Sequence, residues 1–304
     1  MTQSRRLEAR ALQFTIFGTL GMALLGLGFA LVTKSEAILL DGFFSLISFV
    51  VALITRMVSG LVLRPGDDRF PFGYAIFEPM LTLSRGLLVT AVSLFALISA
   101  IAALFTGGRP ISAGVAIVYA LIAAVGCFGL AVLLSSLAKR SRSPLVMVEA
   151  KSWMIDGWIS AGVAIAFLIV RLTQTSPIAT FAPYADPVVV ILLVVFTIAI
   201  PVKIIRDSWR QLIGYRLTSE KMQLIHTVVA KTFEPWPTLT WQFRAIEIGR
   251  WVYVQVYGVV SDQSCKHLSQ QDELREQLYG ALSEQYEHLE LDVVFTQQAK
   301  WANK

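Results

Sequence analysis

The chain has 304 residues, of which 55% are hydrophobic and only 15% charged, with a mean hydropathy of +0.63. Soluble domains carry about 25% charged residues, so this composition excludes disorder and an ordinary soluble enzyme. The crowding of apolar residues into the first two-thirds points to an integral membrane protein with a soluble tail. The formal charge of +5 does not point to nucleic acid, because the basic residues collect in short segments between apolar runs, where they set membrane orientation. The stretch Met1 to Arg10 is short and polar and lacks a small-residue cleavage pattern, so no leader is expected to be removed.

Crossing the hydrocarbon takes about 20 apolar residues. Six runs qualify, at 11–32, 36–60, 75–105, 111–137, 145–171 and 186–206. Turn chemistry separates them: Thr33-Lys34-Ser35, then Arg64-Pro65-Gly66-Asp67-Asp68-Arg69, then Gly107-Gly108-Arg109-Pro110. Lys139 to Pro144 and the stretch Gln174 to Pro187 supply the last two breaks. If spans alternate, Arg5, Arg6, Arg10, Arg64, Arg69, Lys139, Arg140, Arg142, Lys203, Arg206 and Arg210 share one side, against Lys34, Arg109 and Arg171 on the other. Both termini are therefore expected in the cytoplasm. Cys127 lies inside an apolar run and Cys265 in the tail, so a disulfide between them is not expected.

From about Thr218 the pattern changes. Thr218 to Phe233 reads as an amphipathic helix, Trp241 to Ile248 and Trp251 to Val260 as strands flanking Gly249-Arg250, Ser269 to Tyr286 as a charged helix and Leu289 to Thr296 as a last strand. Val252, Val254 and Val256 alternate with Tyr253, Gln255 and Tyr257, the period of a half-buried strand. The expected fold is thus a six-helix transmembrane bundle over 1–207, followed by a cytoplasmic α+β domain of ferredoxin-like order αββαβ over 208–304.

A carboxylate inside a span costs about 2.5–3.5 kcal/mol on insertion scales and marks a functional site by default. Asp41 lies in the second run and Asp156 in the fifth. Each has a serine one helical turn away, Ser45 four residues after Asp41 and Ser152 four residues before Asp156. If the two faces meet, two carboxylates and two hydroxyls surround one point in the membrane. The bland alternatives are an interhelical structural bond for each aspartate and close helix packing for each serine. Gly18, Gly21, Gly26 and Gly28 of the first run read as packing positions, and Arg85 and Glu78 as internal structural pairs.

These residues resemble the cation diffusion facilitators. In that family the second span carries Leu-Leu-x-Asp with a second acid four residues on, and the fifth carries acid-Ala-x-His-x-x-x-Asp. Leu39-Leu40-Asp41-Gly42 and Glu149-Ala150, followed by Asp156, stand in those places. The loop Pro65 to Tyr74 with Glu78-Pro79 is similar to the family's Asp-Asp-x-x-His-Pro-Phe-Gly-His loop. The resemblance implies six spans, an α+β cytoplasmic domain, a homodimer, and a proton gradient driving metal outward. It also implies a metal site of Asp41, Ser45, Ser152 and Asp156, with serines where the family carries histidine or aspartate. The loop has Phe70 and Tyr74 in place of both histidines, so no metal is assigned there, and Asp67 and Asp68 read as a solvated turn. His226, His267 and His288 are isolated and read as surface residues.

Zinc favours nitrogen and sulfur ligands, whereas an all-oxygen site suits harder ions with retained water. Zinc is therefore not assured as the transported divalent cation, and Mn²⁺, Fe²⁺, Co²⁺ or Mg²⁺ fit equally. Two carboxylates facing each other in low dielectric repel, so a proton is expected to occupy the pair until metal expels it. No resident cofactor, no nucleic acid and no enzymatic activity are expected, since no nucleophile–base pair, phosphate loop or dinucleotide fingerprint appears. The expected place is a bacterial inner membrane. The alternatives are a non-transporting scaffold or heteromeric partner of the same fold, favoured by the lost ligands, and a transporter of another small cation.

Overall fold

With no water in the bilayer core, a spanning backbone satisfies its own polar groups, and a helix does so within one segment. The computed structural model describes residues 3–62, 66–71, 73–109, 112–141, 144–172, 177–235, 240–260 and 267–302. Its apolar runs form α1 (Gln3–Thr33), α2 (Glu36–Val62), α3 (Phe77–Phe105), α4 (Ala113–Ser141) and α5 (Pro144–Leu172). A 3-10 turn (Pro177–Tyr184) then leads into α6 (Ala185–Thr197) and α7 (Ala199–Leu212), which together make the sixth span. Six helical segments are thus long and apolar enough to cross a membrane. The sixth is interrupted at Ile198, and Pro201 removes the amide that would bond the Thr197 carbonyl. The backbone bonds Ile198 to Val194 (2.8 Å) and Val202 to Ile198 (3.3 Å) carry the helix across the break.

Two compact units emerge. The first comprises Met1–Met57 and Ser84–Lys203. Its centre is built from small side chains: Ala116, Ala120, Ala123 and Ala131 of α4 are all buried, and α4 packs along α5 and against α1. Large apolar residues such as Phe17, Phe95 and Trp158 point outward, the inverse of a water-soluble surface and the arrangement lipid favours. At two places glycine decides the packing. Ideal Cβ atoms on Gly26 and Gly42 would lie 2.6 and 2.8 Å from backbone atoms of Gly42 and Leu27 respectively, so α1 and α2 touch backbone to backbone there. Gly18 faces Leu130 and Trp153, whereas Gly21 and Gly28 face open space. The packing expected of the first-run glycines therefore applies to Gly18 and Gly26 alone.

The second unit comprises Val58–Leu83 and Ile204–Lys304. It contains α8 (Ser219–Phe233), β1 (Thr240–Ile248), β2 (Trp251–Val259), α9 (Leu268–Ser283) and β3 (Leu289–Thr296), the order read from the sequence. The mixed sheet runs β1-β2-β3, with β1 antiparallel to β2 and β2 parallel to β3. Val252, Val254 and Val256 of β2 are buried together with Ile225, Val229 and Phe233 of α8 and Leu274, Leu278 and Leu282 of α9. The four-residue spacing on both helices is what one apolar stripe requires. Ile248 and Trp251 pair across the two-residue turn Gly249-Arg250, with Gly249 at φ +60°. That turn rests on Glu78: the Arg250 backbone amide and Nε donate to Oε2 at 3.1 Å each, and Nη2 donates to Oε1 at 3.1 Å. A Cβ on Gly249 would stand 2.7 Å from the same carboxylate. Glu78 therefore pairs with Arg250, while Arg85, seven residues after Glu78, donates from Nη2 to Ser48 at 3.1 Å.

Candidate functional site

Helix α2 starts where Lys34, at φ 58°, turns the chain out of α1. Its first amides need acceptors, and Asp186 of α6 supplies them. The Asp186 carboxylate accepts from the Ser35 hydroxyl, from Glu36 N–H at 3.0 Å and from Ala37 N–H at 3.3 Å. Beside this cap, Glu36 forms an ion pair with Arg109, and Ser99 donates to Glu36 at 2.7 Å. Arg109 also donates to the Ser99 carbonyl at 3.0 Å. The start of α2 is thus fixed by ligation of its own backbone and by a charged triad.

One and a half turns further along α2 stands Asp41. The Tyr119 hydroxyl of α4 donates to its Oδ2 at 2.5 Å. The phenol is 3% exposed, with the Phe29 ring centroid 5.5 Å away. It fits because Gly26 lacks a side chain: a Cβ there would be 3.1 Å from the Tyr119 oxygen. Asp156 on α5 lies within electrostatic reach of Asp41, Arg85 and Glu149, and buried Cys127 on α4 within reach of both aspartates. Asp156 keeps accessible surface in this crowded charge environment, as does Ser152 one turn before it. Gly157 lets the Phe128 ring approach α5 at the same level, where a Cβ would meet it at 2.8 Å.

Helices α2 and α5 thus bring Asp41 and Asp156 into one electrostatic neighbourhood. Ser45 is half-buried, and the side chains of Ser45, Ser152 and Asp156 make no hydrogen bond among the described residues. No group of three or more His, Cys, Asp or Glu side chains is placed to hold a metal among the described residues. Chemically, the place offers two carboxylates, a thiol and a phenol, with two hydroxyls one turn from the acids.

Tyr119, Cys127 and Asp186 carry this geometry and are not among the site residues read from the sequence. Tyr119 had a signal available. A tyrosine inside an apolar span needs a partner for its hydroxyl. Asp186 stands at the end of an apolar run, where an acid reads as a loop residue.

The other sequence-noted groups have local duties. Asp67 accepts from the Arg69 and Phe70 amides at 2.9 Å each and from the Tyr74 hydroxyl at 2.6 Å. The Tyr74 bond above all, with the amide donors, holds its carboxyl below the ordinary value of 3.8. Asp68 is exposed. His226 packs its ring on Trp241 at 5.1 Å and His288 on Trp251 at 5.3 Å, while His267 precedes α9. Cys265, Pro65 and Phe72 lie outside the described residues.

A family model described as the cation efflux transmembrane domain matches residues 12–213. No curated protein matches the chain.

Proposed function

We propose that this chain, which belongs to the cation efflux (cation diffusion facilitator) family, exports divalent metal cations in exchange for protons through Asp41, Ser45, Ser152 and Asp156. The reading rests on Asp156 of α5 lying within electrostatic reach of Asp41 of α2, so that two intramembrane acids act on one neighbourhood. Two carboxylates neutralise one divalent ion. Ser45 and Ser152, one turn from each acid and without hydrogen bonds among the described residues, supply neutral oxygens directly or through retained water. With all-oxygen ligation the site binds zinc more weakly than a nitrogen-containing site would and suits harder ions such as Mn²⁺ or Mg²⁺.

In exchange, one of the two acids holds a proton when metal is absent, because each negative charge disfavours ionisation of the other in low dielectric. An arriving cation releases it. Arg85, also within reach of Asp156, offsets part of the negative charge and keeps the vacant pair tolerable. The basic segments orient the transmembrane domain, 1–207, with both termini and the α+β domain, 208–304, in the cytoplasm of a bacterial inner membrane. The working unit is a homodimer.

The test is metal-dependent proton flux in proteoliposomes across Zn²⁺, Mn²⁺, Fe²⁺, Co²⁺ and Mg²⁺. Wild type moves protons with at least one ion, and Asp41→Asn or Asp156→Asn abolishes the flux. Full activity in either variant removes the pair from the transport path. Silence of the wild type for every ion supports a scaffold instead.

A further inference from the structure

We infer that Tyr119 is a specificity-determining residue: by holding Oδ2 of Asp41, it leaves a single carboxylate oxygen to the cation and so selects small divalent ions against Ca²⁺. The inference rests on Asp41 being a cation ligand, as proposed above. Its own basis is separate and geometric.

Carboxylates bind cations through one oxygen or through both. Ca²⁺ takes six to eight oxygens at about 2.3–2.6 Å and commonly uses both oxygens of an acid, whereas Mg²⁺ and the smaller transition metals take fewer ligands at about 2.0–2.2 Å. A cation bound by both oxygens sits nearly equidistant from them. In Asp41 the Tyr119 hydroxyl stands 2.5 Å from Oδ2, so it fills part of that space and draws electron density from that oxygen.

The phenol has little freedom to leave. It is buried at 3% exposure, flanked by Phe29 and roofed by the backbone of Gly26. Gly26 in turn contacts Gly42, the neighbour of Asp41. Carboxylate, phenol and the α1–α2 crossing therefore form one packed group. A hydrogen bond to a charged acceptor is also among the stronger kinds.

The experiment measures equilibrium binding of Mn²⁺ to detergent-solubilised full-length protein by the free-Mn²⁺ spin-resonance signal, with Ca²⁺ as competitor, and repeats it with Zn²⁺ as a second small competitor. Tyr119→Phe keeps the ring and removes the hydroxyl. The expected result is a rise of about tenfold in Ca²⁺ affinity relative to Mn²⁺, the scale of one lost hydrogen bond to a carboxylate, with the Zn²⁺ to Mn²⁺ ratio little changed. If Tyr119→Phe is not monodisperse by size exclusion, Tyr119→Leu is put through the same comparison. Unchanged Ca²⁺ to Mn²⁺ preference in the hydroxyl-free variant overturns the inference, even if affinity for all ions falls together. Asp41→Asn separates the two readings: retained Mn²⁺ binding there removes Asp41 as a ligand, whereas lost binding with an unmoved Tyr119→Phe ratio sinks only the selectivity role.

Discussion

Asp186 and Asp41 are both carboxylates inside the transmembrane unit, and they are treated in opposite ways. Asp186 is fully enclosed and accepts from one hydroxyl and two backbone amides. The Asp41 carboxylate has a single donor, the Tyr119 phenol, and the Asp156 carboxylate has none among the described residues while lying within electrostatic reach of another acid. A buried acid whose lone pairs are filled by the protein is a structural element, because nothing else is needed to balance it. One left short of donors, beside a second acid, is balanced only when a cation or proton arrives. The difference in donor supply, more than the presence of an acid in a span, separates scaffold from site.

The strongest way to break this comparison is to neutralise each acid in turn. Asp41→Asn and Asp156→Asn are expected to lower cation flux by more than the roughly 10–100-fold that loss of an outer-shell partner costs a metal site, while thermal unfolding in detergent stays near wild type. Asp186→Ala should do the reverse. It orphans the Ser35 hydroxyl and the Glu36 and Ala37 amides, a cost of about 2–4 kcal/mol from a lost cap and unsatisfied buried donors. It reads out as a lowered unfolding midpoint with an unchanged choice of cation in whatever fraction remains folded. Loss of stability in Asp41→Asn equal to that in Asp186→Ala would erase the distinction.

Gly26→Ala sharpens it further. The added methyl would meet Gly42 Cα at 2.6 Å and the Tyr119 oxygen at 3.1 Å, an overpacking cost of about 1–3 kcal/mol. It should disturb stability and cation preference together, because α1, α2 and the phenol meet there. Smallest is the effect at the exposed loop before α3. The folded carboxyl of Asp67 is held below its ordinary value of 3.8, so its contribution is present in full above that value and is lost as pH falls through the lower folded one. Amide exchange at Arg69 and Phe70 should accordingly rise only in strong acid, and Asp67→Asn should remove that dependence.

The parts of this molecule set by local pattern are readable in the chain itself. Apolar run length announces the six spans, and alternation in Val252 to Tyr257 announces β2. A charge in lipid is expensive wherever it lies, so Asp41 and Asp156 declare themselves without neighbours. Partnership is another matter. Tyr119 stands 78 positions from Asp41 and Asp186 lies 151 from Ser35, and no periodicity encodes which acid receives which donor. Glu78 illustrates the same limit. Its position at the start of α3 suggests a partner in the span, but the two-residue turn of a hairpin that begins more than 160 residues later reaches it, and Arg250 takes that place. The loop acids read as a turn from their own sequence, whereas the bond from the Tyr74 hydroxyl that organises the turn, seven residues on, leaves no local pattern.

The cap on α2 has a mechanical corollary. The acceptor for the first amides of that helix belongs to α6, so the pair shares a pivot at this end. Prising them apart there would strip one side chain of three donors, so the two helices are tied at this corner by a single residue.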